Sequence, residues 1–176
     1  MSHLTCQFIY NSAQRETPLP SSGFAIDLAH QPQSAHQLIK LGFSPRKDLP
    51  IVLLTDAAGK LRVVGLRLSP EEAELLVHGR AFAQGELMLY SATWCPECRR
   101  VKQRLAEAEI PYAEVDLDTD VRAEALVIEH SGGRRVVPTL KFDDRLYVFN
   151  PDPSLLARLL DSAPPVPALD GNPGGS

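Results

Sequence analysis

The chain has 176 residues, 44% of them hydrophobic, and a formal net charge of -4, a size that suits two small domains. The charge balance offers no attraction for nucleic acid or an anionic membrane, and no basic run interleaved with aromatics occurs. The opening MSHLTCQFIYNSAQ lacks the pattern of a secretory signal, and no apolar run approaches the roughly 20 residues that span a bilayer. The sequence therefore predicts a cytoplasmic protein without nucleic-acid or membrane partners.

In chain order, LTCQFIY (4–10) reads as an apolar strand, with Cys6 a small buried hydrophobe within it. The stretch up to Phe24 contains Pro18, Pro20 and Gly23 and leaves little room for a helix. A strand ends at Asp27-Leu28 and a helical segment follows. After Pro50 come a strand, a turn over Asp56 to Lys60, a second strand, and a leucine-bearing helix opened by Ser69-Pro70. HGRAFAQG (78–85) connects the halves, with the junction at 81–85.

Beyond it, LMLYS (87–91) is a strand, and Cys95 to Ala108 is a helix whose Cys98, Val101, Leu105 and Ala108 form one apolar stripe. Pro111 ends it. YAEVDLD (112–118) alternates as a strand, and TDVRAEALVIEH (119–130) is helical with Thr119 or Asp120 as its cap. VPTLKF and RLYVF form an antiparallel hairpin through Asp143-Asp144, and DPSLLARLL closes with a helix. Residues 164–176, rich in Pro, Gly and Ser, read as a disordered tail.

Cys95 and Cys98 carry the chemistry. In a reducing compartment such a pair signals catalysis, metal or burial rather than a disulfide framework. A structural zinc site needs about four ligands, and neither a second cysteine pair nor a suitably spaced histidine pair follows; no metal is expected. Pro96 suits the first helical turn. Unpaired N–H groups and the positive end of the helix dipole favour a thiolate at Cys95. Arg99 and Arg100 add positive charge, which Glu97 opposes. Cys98, on the apolar stripe, makes a sheltered resolving thiol beside an exposed attacker.

YSATWCPEC with RRVVPT forty residues after Cys98 resembles the glutaredoxins, members of the thioredoxin superfamily, over residues 86–161. The resemblance implies a thioredoxin-like α/β fold, a mixed sheet with flanking helices, in a domain over 86–163. It implies a cis Pro138 facing Cys95, with the Val137 backbone pairing with the thiol ligand. Trp94, Pro96, Val137, Pro138 and Arg135 are the candidate substrate-binding residues, and Arg134 with Arg135 suits a carboxylate. Its co-substrate would be a low-molecular-weight thiol: glutathione, mycothiol or similar. Glutathione users usually have lysine where Ala92 stands and Gly-Gly where FNPDPS stands. Trp94 and Asn150-Pro151 are more like the mycoredoxins, which work with mycothiol.

The two halves also resemble each other. Asp27 to Pro50 spans 23 positions and Asp116 to Pro138 spans 22, each followed by a strand, turn, strand and helix. Residues 1–80 are therefore expected to be a small α/β domain, a degenerate thioredoxin-like repeat without a redox pair that serves docking or packing. The predicted function is a thiol–disulfide oxidoreductase acting on client-protein disulfides or mixed disulfides. A non-catalytic redox-regulated interaction module and an iron–sulfur carrier remain as alternatives.

Overall fold

The computed structural model describes residues 4–14, 23–78, 80 and 86–161. The expected junction at 81–85 and the tail at 164–176 lie outside them. Eight strands among the described residues form one sheet: β1 (Thr5–Tyr10), β2 (Phe24–Asp27), β3 (Ile51–Thr55), β4 (Leu61–Gly65), β5 (Leu87–Ser91), β6 (Ala113–Asp116), β7 (Thr139–Phe142) and β8 (Leu146–Phe149). Five helices among the described residues flank it: α1 (Ser34–Lys40), α2 (Pro70–Val77), α3 (Pro96–Glu107), α4 (Val121–His130) and α5 (Pro153–Asp161). The sheet order is β2-β1-β3-β4-β8-β7-β5-β6.

The second half has the predicted β-α-β-α-β-β-α order, and its strands make the mixed sheet expected of a thioredoxin-like fold. β5 runs parallel to β6 and antiparallel to β7, and β7 pairs antiparallel with β8. The same directions recur in the first half, with β1 parallel to β2, antiparallel to β3, and β3 antiparallel to β4. Tyr10 pairs with Asp27 as Ser91 pairs with Asp116. Leu49–Pro50 and Val137–Pro138 are both cis. The halves differ between the first two strands: α3 joins β5 to β6, whereas among the described residues no helix joins β1 to β2.

The halves meet at an antiparallel seam, Val63, Val64 and Gly65 of β4 against Val148, Tyr147 and Leu146 of β8. Two apolar layers cross it. On one face Phe8, Val52, Leu76, Leu89, Leu105, Leu140 and Leu155 belong to a single buried cluster. On the other, Ile9, Leu38, Phe43, Ile51 and Val64 pack with Tyr147 and Phe149. The central strands β3 and β8 are buried on both faces, which is why IVLL and LYVF read as unbroken apolar runs. Each fully buried Leu or Phe contributes about 1.5–3 kcal/mol of transfer free energy. At the end of α4, His130 stacks on Tyr147 at 4.4 Å and meets Phe43 edge-on at 6.0 Å.

Local capping fixes where the helices start. Ser69 and Glu72 form a reciprocal capping box on α2, and the Asp120 side chain accepts from the N–H groups of Arg122 and Ala123 on α4.

Candidate active site

The site is built at the carboxyl end of β5, where the chain turns into α3. Cys95 is the N-cap of that helix, in extended backbone, with Pro96 in the first turn. The Cys98 N–H donates to Cys95 Sγ at 3.1 Å, so one of the unpaired amides of the helix start is aimed at this sulfur. Cys95 and Cys98 are joined as a disulfide, with Cα atoms 5.3 Å apart. Cys98 faces inward on the same stripe as Val101 and Leu105.

The expected contrast between an exposed Cys95 and a sheltered Cys98 is small: their exposures are 3% and 0%. The Cys95 sulfur turns back over the first turn of α3 towards Cys98, and Val137 packs against both cysteines and Ala92. Ala92 is itself buried there, so the position brings no charge to the site.

Trp94, next to Cys95 in the chain, is 59% exposed. Its indole N–H donates to Asp118 Oδ2 at 3.0 Å, and the Arg135 guanidinium lies 6.0 Å from the ring centroid. Arg135 is engaged by two carboxylates, Asp118 and Glu124, the latter at 2.7 Å from its Nε. The structure thus brings Arg135 to the site, but with its guanidinium already committed, so a ligand carboxylate must compete with both acids. Among the described residues Arg134 makes no ion pair. At the helix mouth Arg100 is paired with Glu97 at 2.6 Å, cancelling much of its charge, while Arg99 is exposed.

Sequence reasoning missed Asp118 and Glu124, which hold Arg135 from 17 and 11 residues away; the acidic DLDTD stretch after β6 was the available signal. It singled out Asn150 only as part of Asn150-Pro151 and did not foresee its contacts. This residue adopts φ 43°, and its N–H donates to the Pro138 carbonyl at 2.8 Å. A cleft of about 290 Å³ beside it is lined by Asn150, Asp152, Glu97 and Arg100 of the second half and by Asp56 and Arg62 of the first. No local sequence signal joins these two groups.

Cys6, the third cysteine, is half-buried in β1, and burial pushes its thiol up to about 11. Among the described residues no group of three or more His, Cys, Asp or Glu is placed to hold a metal ion, and no helix is long and apolar enough to cross a membrane.

The chain is similar to several known proteins. The glutaredoxin family profile matches residues 87–147. A Mycobacterium tuberculosis protein described as a glutaredoxin is 40% identical over 65 residues, which are 37% of this chain and 77% of that protein. Mycoredoxin 1 of Corynebacterium glutamicum is 35% identical over 63 residues, 36% of this chain and 77% of its own length. Among solved structures, wheat glutaredoxin is 21% identical with a TM-score of 0.36 over 47% of this chain and 84% of its own. A thioredoxin-like protein is 22% identical with a TM-score of 0.35 over 42% of this chain and 97% of its own. Through the segment that carries Cys95, Cys98 and Pro138, the chain belongs to the glutaredoxin family of thiol–disulfide oxidoreductases.

Proposed function

We propose that the chain reduces disulfides through Cys95 and Cys98, acting on client-protein disulfides or on mixed disulfides with a low-molecular-weight thiol. The observation that carries this reading is the Cys95–Cys98 bond at the mouth of α3, with the Cys98 N–H on the Cys95 sulfur. In the reduced protein that amide and the helix dipole stabilise a thiolate at Cys95. The Cys95 thiolate attacks one sulfur of the substrate disulfide; a Cys95–substrate disulfide forms, the substrate S–S bond breaks, and the other substrate sulfur leaves as a thiolate. The Cys98 sulfur, deprotonated, then attacks Cys95 Sγ. This closes the internal disulfide and releases the second substrate thiolate. Two electrons pass from the dithiol to the substrate, and two equivalents of a small thiol restore the dithiol. Val137 and Pro138 form the wall along which the disulfide aligns, and Trp94 with Pro96 borders the entrance.

The mycoredoxin relative, together with Trp94 and Asn150-Pro151, favours mycothiol over glutathione as the small thiol. The test is kinetic. Cys95→Ser is expected to abolish reduction of both substrate types. Cys98→Ser is expected to accumulate a mixed disulfide with a client protein while still reacting with small mixed disulfides. Incubating that variant with mycothiol disulfide or glutathione disulfide, followed by intact mass, identifies the thiol. Undiminished turnover by Cys95→Ser defeats the mechanism.

A further inference from the structure

The first half has no cysteine pair, yet one of its side chains reaches the wall of the site. Arg62 on β4 donates from Nη1 to the carbonyl of Asn150 at 3.1 Å and from Nε to Asp56 Oδ2 at 2.9 Å. Asn150 lies in the left-handed region at φ 43°, and its own N–H holds the Pro138 carbonyl at 2.8 Å. Asp56, Arg62, Asn150 and Pro138 thus form one line of hydrogen bonds from the first half to the loop whose Val137 packs on Cys95 and Cys98. The Arg62 side chain is 29% exposed and its carboxylate partner 17%, so this is a shielded contact and not a surface pair exchanging freely with water.

The same bond exists in the opposite direction. Arg145, just before β8, donates from Nη1 to the carbonyl of Arg67 at 3.1 Å and is held by Glu72. Arg67 also has a positive φ, 52°, and the neighbouring Leu68 N–H donates to the Pro50 carbonyl at 3.1 Å. Arg62 precedes Arg67 by the same five positions by which Arg145 precedes Asn150. The two halves therefore cross two similar braces over the seam, although the Arg67 N–H itself donates to the Asp48 carbonyl. If they served stability alone, they would be interchangeable. They differ in what lies behind them: the Pro138 loop is packed on the disulfide, while no cysteine pair stands behind the Pro50 loop.

We propose that Arg62 is a positioning residue for the redox site. Through Asn150 it sets the Pro138 loop against Cys95, so the first half governs how an incoming disulfide is aligned. This rests on the reading that the Pro138 loop is the substrate-aligning wall.

The full chain and its Arg62→Ala, Arg62→Lys and Arg145→Ala variants are reduced and reacted with a peptide carrying a mixed disulfide with 2-mercaptoethanol, recording half-saturation and maximal rate. Arg62→Ala is expected to raise half-saturation about tenfold, the worth of one hydrogen bond to a charged group, with the maximal rate nearly unchanged. Arg62→Lys recovers only part of this because an ammonium lacks the fork that joins Asp56 to the carbonyl. Arg145→Ala leaves half-saturation as in the parent while lowering the melting temperature comparably. Amide exchange gives a second measure: Asn150 loses protection in Arg62→Ala but not in Arg145→Ala. An active parent with equal half-saturation shifts in the two alanine variants, or with Asn150 protection unmoved in Arg62→Ala, overturns the brace. A parent that does not react with the peptide at all overturns the oxidoreductase reading itself.

Discussion

Replacing Leu76 by alanine tests whether the two halves share one core. Leu76 lies on α2 in the first half, is 0% exposed, and belongs to the buried cluster that also contains Leu89, Leu105 and Leu140 of the second half. Removing three carbons forfeits about 2.4 kcal/mol of transfer free energy, at about 0.8 kcal/mol for each. The neighbouring strand cannot fill the space, because the residue facing Leu76 is Gly65, which has no side chain to move in. The total loss is therefore about 3 kcal/mol, within the ~2–5 kcal/mol range of buried Leu→Ala changes. For a chain of this size that lowers the melting temperature by about 6–12 °C. Trp94, the single tryptophan, sits in the second half beside the disulfide. If the eight strands melt together, Trp94 fluorescence and far-ultraviolet circular dichroism shift by the same amount. A Trp94 transition that stays in place while dichroism develops a separate early step refutes the shared core.

Two other predictions concern titrating groups. Burial holds the Cys6 thiol up near 11, so at pH 8 only about one molecule in a thousand carries its thiolate. Iodoacetamide added to the reduced protein should label Cys95 first and Cys6 last; mass spectrometry showing Cys6 modified first contradicts this. Burial acts to raise the Glu72 carboxyl, but the Arg145 guanidinium and the Ser69 N–H outweigh it and hold the carboxyl below its ordinary 4.5. A depressed pKa stabilises the fold above the ordinary value, and that stabilisation is lost as pH falls through the depressed one. Urea unfolding should therefore show Glu72→Gln clearly destabilised at pH 7, with the gap to the parent smaller at pH 3. A gap of the same size at both pH values removes the ion pair as its cause.

The second half was readable because its signals are local. The stripe of Cys98, Val101 and Leu105 and the cap at Asp120 placed α3 and α4 to within a residue or two. The recurring strand directions of the first half have a counterpart in the sequence, where Asp27 with Pro50 and Asp116 with Pro138 keep nearly the same spacing although no cysteine pair marks the first half. The seam was not readable. β4 and β8 are both apolar, and nothing in either strand names its partner. The surroundings of Arg135 and Arg62 were hidden similarly, since Glu124 and Asn150 meet them only after folding, Asn150 across 88 residues. The low exposure of Cys95 was missed because a position at a helix mouth says where a sulfur starts and not which way it turns.

The seam explains why a half without cysteines is retained in the fold. Four strands in the order β8-β7-β5-β6 would leave β8 as an edge. An edge strand exposes a row of unpaired N–H and C=O groups, and proteins protect such edges with charge, proline or brevity. LYVF has neither charge nor proline, and all four of its residues are buried. Its Tyr147 and Phe149 complete a cluster whose other members, Ile9, Leu38, Phe43 and Val64 among them, come from the first half. Without that half, β8 would present an apolar pairing edge to solvent, with Tyr147 and Phe149 uncovered on one face. β4 stands in the same relation to β8, because Val63 and Val64 are fully buried against it. Each half is thus the edge protection of the other, and each places an arginine on the left-handed residue of its partner. The disulfide stands beyond this seam, at the end of β5, with β7 between β5 and β8. The influence of the first half on the chemistry is therefore expected to pass through the turn after β8, where Asn150 joins Arg62 to the Pro138 loop.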